Sequence, residues 1–312
     1  MSAYRTIDVP VSGGDMRVGL WEPEDGRADA VPAVLLIHGV TASHLSWPFV
    51  ARRLPGVRVI APDLRGRGRS NALEGPAGLH AHADDLVAVL DALGVERVVA
   101  VGHSMGAFVA LVLGDRHPER VSRVVLVDGG LPLDLPVGMS TDDVIAHVLG
   151  PTADRLAMRF PTASDYLDFW RAHPAFARDW TPELEAYLAY DLVPADDGPR
   201  SATSLRPATS LRPATSYATL EEDTVDQNTG TAIVDALTHL RHPTVWLTAE
   251  RGLLDQLPAL YAAERIPGLR AAHPGLEHVA VPDVNHYTIA LSERGAAAVA
   301  SVVEEQLAAA RP

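Results

Sequence analysis

The sequence predicts an α/β protein with a mostly parallel, doubly wound sheet of about eight strands and an inserted helical cap, or lid. Three observations carry this. Short apolar runs rich in β-branched residues alternate with longer stretches of helical spacing; the alternation lapses over residues 131–229 and then resumes; and a Gly-Gly pair separates two strand-like segments near the start.

Residues 6–11 and 15–23, on either side of Gly13 and Gly14, read as an antiparallel hairpin at the sheet edge. The runs at 33–39, 57–63, 97–104 and 121–129 are continuously apolar, the form expected of parallel strands covered on both faces. Between them, residues 46–54, 79–94 and 104–119 have helical spacing, the last stopped near Pro118. After the insertion come a strand at 243–250, a helix predicted over 257–265, a strand at 276–286 and a C-terminal helix. The expected division is therefore a core made of 1–130 and 230–312, with 131–229 as the helical cap. That cap holds more than half of the chain's aromatic residues. Within it, Thr-Ser-Leu-Arg-Pro-Ala is written twice in tandem over 203–214, and its Ser, Thr and Pro content predicts a mobile or extended loop over 203–216.

Composition narrows the chemistry. With 47% hydrophobic and 21% charged residues the chain has the balance of a globular protein, far from that of a disordered one. A net charge of −14 repels phosphate backbones and anionic lipid, so neither nucleic acid nor a membrane is an expected partner. Every basic residue is arginine, which excludes Schiff-base chemistry and the lysine of a phosphate-binding loop. The absence of cysteine excludes a thiol nucleophile and thiolate metal sites. Nothing in the sequence reads as a secretory leader or a membrane span, so the default location is the cytoplasm.

The strongest motif is Gly102-His103-Ser104-Met105-Gly106, set between an apolar strand and a helix. A turn that sharp leaves room only for small residues two positions either side of the serine, and it lifts the hydroxyl above the sheet at a helix N-terminus. A serine hydroxyl is a weak nucleophile at neutral pH and needs a base. His286, between the last strand and the last helix, would reach the same sheet edge. His103 reads as a spacer within the turn, and His38 as a structural hydrogen-bonding residue. His80 and His82, two apart on a helix, point to different sides and read, with Asp84 and Asp85, as a solvated helix start with no metal. Arg65, Arg67 and Arg69, spaced by glycines, read as a structural turn. No Gly-rich dinucleotide fingerprint follows the first parallel strand, and no cofactor is expected.

Together with the element order, Gly102–Gly106, His38-Gly39-Val40, the Asp63–Ser70 segment and Asn285-His286-Tyr287 make the chain resemble an α/β-hydrolase of the lidded serine esterase type over roughly 5–130 and 230–310. The resemblance implies Ser104 as nucleophile, His286 as base, and the backbone N–H groups of Val40 and Met105 as the oxyanion hole. It leaves the third member of the catalytic triad open. The usual acid stands nine residues after the Pro that opens the seventh strand; here that position is Gly252. Asp128, at the end of the sixth strand, is the first choice, with Glu250 and Asp255 as alternatives. From the cap, Trp170, Trp180 and Tyr187 are candidate substrate-binding residues, because aromatic side chains provide large contact surface in a pocket.

The implied activity is hydrolysis of a carboxylic ester or lactone through an acyl-enzyme, as in a carboxylesterase or lactonase, on a small, mainly apolar ester, lactone or thioester. The same triad also serves carbon–carbon bond hydrolases, thioesterases and cofactor-free haloperoxidases, and a small-molecule receptor can retain the site without turnover. Serine at 104 argues against epoxide hydrolases and haloalkane dehalogenases, which place aspartate there.

Overall fold

The computed structural model describes residues 2–23, 32–136, 138–149, 151–195 and 210–310. The apolar runs pair into one eight-stranded sheet. In chain order its strands are β1 (Ser2–Val11), β2 (Gly14–Pro23), β3 (Ala33–Ile37), β4 (Arg58–Pro62), β5 (Val98–His103) and β6 (Val121–Val127). Two short strands of the insert follow, β7 (Leu192–Pro194) and β8 (Leu211–Pro213), and the large sheet is completed by β9 (Thr244–Arg251) and β10 (Leu276–Asn285). Its spatial order is β1-β2-β4-β3-β5-β6-β9-β10. β1 and β2 form the expected antiparallel hairpin, β2 joins β4 antiparallel, and every other neighbour is parallel.

Continuous apolarity in the strands reflects cover on both faces. Leu35, Ile37, Val98 and Ala100 pack with the helices Leu79–Ala92 and Met105–Arg116, while Val34, Leu36, Val99 and Val101 pack on the other side with Pro48–Ala51 and Glu293–Ala309. Successive strand residues thus serve opposite faces, the period-two rule of a strand. From β3 the chain steps outward to β4 and then crosses back to β5, on the other flank of β3. The order reverses there, so the C-terminal ends of β3 and β5 open a crevice, the place where such sheets bind ligands.

Between β6 and β9 the chain leaves the sheet for helices at Thr141–Leu149, Pro151–Ala157, Ala163–Arg171, Pro182–Tyr190 and Tyr217–Thr229. Local capping sets several of their starts. Thr162 and Asp165 form a reciprocal capping box, and the side chains of Thr181 and Ser216 accept the N–H groups of Leu184 and Thr219. Phe160, Tyr166, Trp170, Phe176, Leu184 and Leu188 make a separate small core for the insert, closed from below by Leu291.

One expectation needs correction. The helix predicted over 257–265 is absent: that stretch is irregular, and a helix forms one step later, at Ile266–Ala272 with Pro267 in its first turn. The cause is Tyr261, which is buried edge-on to Trp246 and exchanges hydrogen bonds with both backbone groups of Leu131, so this stretch follows the core and not a helical path. Of the tandem repeat, 203–209 lie outside the described residues. In its second copy the backbone is extended: Leu211–Pro213 pairs antiparallel with Leu192–Pro194, and Leu211 exchanges backbone hydrogen bonds with Phe160. Among the described residues no helix is long and apolar enough to cross a membrane.

Candidate active site

Ser104 stands between the last residue of β5 and the first of the helix Met105–Arg116, at φ 54° and ψ −122°. A non-glycine residue in such a conformation carries strain of about 1–3 kcal/mol, which the surrounding structure must hold. The two flanking glycines make the turn sterically possible. A Cβ on Gly102 would lie 2.0 Å from the Gly106 carbonyl oxygen, and one on Gly106 would lie 2.1 Å from that of Ile37. The serine backbone is tied down by its N–H donating to the Val127 carbonyl (3.0 Å) and its carbonyl accepting from the Ala107 N–H (3.0 Å).

His286 follows β10 directly and is buried. Its Nδ1 lies 2.7 Å from Asp128 Oδ2. The Asp128 side chain is fully buried at the C-terminal end of β6; its Oδ1 accepts the Ala249 N–H (3.0 Å), and its own N–H donates to the Leu247 carbonyl (2.8 Å). A carboxylate at Nδ1 selects the tautomer that carries its proton there and leaves Nε2 as acceptor. From the other side His103 Nε2 donates to the His286 carbonyl (2.8 Å), with the two rings 4.8 Å apart. His103 is thus more than a spacer: it holds the backbone of the histidine loop. Burial, followed by the neighbouring His286, pushes its pKa down to about 3, which keeps it neutral.

Of the three candidate acids, only Asp128 contacts His286. Glu250 turns outward and accepts the Asp283 N–H (2.6 Å). Asp255 accepts from Arg251 (2.7 Å) and from the Asn285 amide (3.0 Å), one residue away from the histidine. Asn285 shapes that loop, since its Oδ1 accepts the N–H groups of Tyr287 (3.0 Å) and Thr288 (2.9 Å).

Val40 and Met105 line the same cavity as Ser104, Asp128 and His286. The Met105 N–H is the first of its helix and has no carbonyl one turn back to bond. The N–H of Val40 shares its peptide with the Gly39 carbonyl, which His38 holds. His38 Nε2 accepts the Leu64 N–H (2.9 Å), so the proton sits on Nδ1 and is donated to the Gly39 oxygen (2.7 Å). Burial lowers the His38 pKa to about 4, and the neutral ring can play both parts.

Two small cavities, about 30 and 40 Å³, meet at Ser104 and His286. Thr41, Ser46, Tyr187, Tyr287 and Leu291 contribute to the first, and Phe108, Leu133, Val148 and Leu260 to the second. Tyr187 therefore lines the cavity beside Ser104. Trp170 and Trp180 do not: Trp170 is packed within the insert's own core, and Trp180 donates to Glu185 (2.7 Å) beneath the Arg171 guanidinium. Residue type alone does not separate an aromatic that lines a pocket from one that packs a helix pair. A larger groove, about 810 Å³, runs along β9 and β10 beside Leu257 and Tyr261, but neither Ser104 nor His286 reaches it.

Several buried polar and charged residues are not signalled by the local sequence. His82 is not solvated: it is fully buried with Nε2 3.0 Å from Asp223, and Asp85 is buried against Arg65. His44 and Asp63 form a further buried pair (2.7 Å), joined by the Tyr4 and Tyr190 hydroxyls. No spacing rule links residues 82 and 223, or 63 and 190, because folding alone brings them together.

A family model described as alpha/beta hydrolase fold matches residues 32–291. The chain belongs to this family. Among curated proteins, this α/β hydrolase is 35% identical over 170 residues to a protein named Lipase LipV of Mycobacterium tuberculosis, a match covering 53% of this chain and 59% of that protein. The chain spans about three-fifths or less of the length of the curated relatives first matched. Among solved structures, E-2-(acetamidomethylene)succinate hydrolase superposes with a TM-score of 0.71 at 20% identity, covering 97% of this chain and 100% of that one. The thioesterase domain from the curacin biosynthetic pathway gives 0.70 at 20% identity, covering 97% and 99%. At such identities these superpositions establish the fold of this α/β hydrolase and nothing finer.

Proposed function

We propose that this α/β hydrolase is a serine hydrolase that cleaves a small, mainly apolar carboxylic ester or lactone through an acyl-enzyme, beneath a cap formed by residues 131–229. The observation that carries the reading is the 2.7 Å contact between His286 Nδ1 and the buried Asp128 carboxylate, with Ser104 on the wall of the same cavity. Ser104 Oγ attacks the carbonyl carbon while His286 Nε2 accepts its proton, and Asp128 stabilises the imidazolium so formed. The negative charge that develops on the carbonyl oxygen faces the N–H groups of Val40 and Met105. Collapse of the tetrahedral intermediate expels the alkoxide, which accepts from His286 the proton taken from Ser104 and leaves as the alcohol. Water, deprotonated by the same imidazole, then releases the acid and restores Ser104.

The mostly apolar lining of both cavities, without an unpaired cation among the described residues to hold an anionic group, and their small volume support a short, uncharged substrate. A fluorophosphonate probe and a p-nitrophenyl ester panel test the reading together. Labelling and a burst of p-nitrophenol, both lost in Ser104→Ala, are the expected result. Absence of labelling in the folded wild-type protein would instead favour a receptor that binds without turnover, and preference for thioesters or vinylogous diketones would move the assignment to those substrates.

A further inference from the structure

The turn after β4 carries three arginines, and each is engaged within the fold. Arg65 pairs with Asp85 (2.8 Å), and Arg69 lies over the ring of Tyr190. Arg67 joins more distant parts. Fully buried, it donates from Nε to the Val40 carbonyl (2.8 Å) and from Nη1 to the Arg65 carbonyl (2.9 Å), while Nη2 approaches Met105 Sδ at 3.8 Å. The same guanidinium forms an ion pair at 2.5 Å with Asp223, which belongs to the insert's helix Tyr217–Thr229. Asp223 also accepts the Gly78 N–H (2.8 Å) and lies against His82 (3.0 Å), and its neighbours Glu222 and Asp226 accept the N–H groups of Ala77 and Leu79 (2.7 Å each). The last helix of the insert is thereby fastened to the start of the helix Leu79–Ala92. From that fastening, one cation touches both residues read as oxyanion donors.

We propose that Arg67 is a positioning residue that couples the seating of the helix Tyr217–Thr229, through Asp223, to the alignment of the Val40 donor. The inference rests on the acyl-transfer reading of the site. Its physical basis is the rigidity of the guanidinium, a planar fork whose donors turn as one body. His38 fixes the peptide on one side of Val40 and Arg67 fixes the peptide on the other, so the direction of the Val40 N–H depends on both. If the helix lifts, Asp223 leaves, the fork loses its anchor, and that direction is no longer held. Arg67 lines neither cavity at Ser104, so its loss falls on the transition state and not on substrate binding.

The test uses the full-length protein with Asp223→Asn, which keeps the shape and an acceptor for Gly78, and Arg67→Lys, which keeps the charge but not the fork. For each, kcat and KM are measured on p-nitrophenyl butyrate. Inhibition constants are measured for a trifluoromethyl ketone, whose adduct with Ser104 needs the oxyanion donors, and for the methyl ketone of equal length, which does not form that adduct. The expected result is a fall in kcat of roughly 10- to 100-fold with KM within about threefold, and a matching loss of trifluoromethyl ketone affinity alone. Unchanged kcat, or equal weakening of both ketones, overturns the proposal. If Arg67→Lys does not fold, Asp223→Asn and Asp223→Glu carry the test, with Glu expected to recover part of the activity. Turnover surviving in Ser104→Ala would instead defeat the acyl-transfer reading itself, whatever Arg67 does.

Discussion

Asp128→Asn is the substitution that separates the assigned acid from its rivals. Asp128 Oδ1 accepts the Ala249 N–H at 3.0 Å, and that donor is fixed by the sheet, so an asparagine must place its oxygen there. Its amide NH2 then takes the place of Oδ2, 2.7 Å from His286 Nδ1. A donor facing Nδ1 forces the imidazole proton onto Nε2, which leaves no base for Ser104 and no negative charge beneath the imidazolium. Loss of the correct tautomer costs about four orders of magnitude in kcat, or about 5.4 kcal/mol of activation free energy at 1.36 kcal/mol per tenfold. The assay is steady-state hydrolysis of p-nitrophenyl butyrate, with fluorophosphonate labelling as a check that Ser104 remains accessible and with circular dichroism as a check of folding. Glu250→Gln and Asp255→Asn serve as controls and should stay within about tenfold of wild type, since neither carboxylate touches the histidine. A folded Asp128→Asn protein with near-normal turnover, or a Glu250→Gln protein without it, would refute the argument.

Other expectations can be checked with equal economy. Gly106→Ala places a Cβ 2.1 Å from a backbone oxygen that belongs to β3 and cannot swing aside, so denaturant unfolding should show a loss of roughly 1–3 kcal/mol or more. His38 and His103 are neutral in the fold, with pKa values pushed down to about 4 and about 3 chiefly by burial. The unfolded chain protonates both near pH 6.5, so the stability present above that pH is lost as the pH falls toward 4, by up to about 1.4 kcal/mol per pH unit for each. A His103→Gln protein should show a shallower decline in denaturation midpoint over that window, and an identical slope would discount the neutral assignment. Tyr187→Ala removes a wall of the cavity beside Ser104 and should lower KM for longer acyl chains relative to acetate; an unchanged chain-length profile would place the acyl group elsewhere.

The sequence alone determined the scaffold and pointed to Ser104 and His286 as the proposed reacting pair, because both are written in local patterns. Continuous apolar runs specify strands covered on two faces, and Gly102 and Gly106 specify a turn that only small residues permit; Ser104 and His286 then follow from their positions at strand ends. Sequence spacing could rank Asp128, Glu250 and Asp255 but not choose among them, since a side chain's direction at a strand end depends on which backbone donors claim its oxygens, here Ala249 for Asp128 and Asp283 for Glu250. The same holds for Trp170, whose ring meets Arg155 and Tyr287 from other segments, and for Arg67, whose partners Val40, Met105 and Asp223 come from three separate segments. Local sequence encodes backbone conformation because φ and ψ respond to the residue and its neighbours. Pairing between remote side chains is settled only when the folded core excludes water and each buried charge must find a partner.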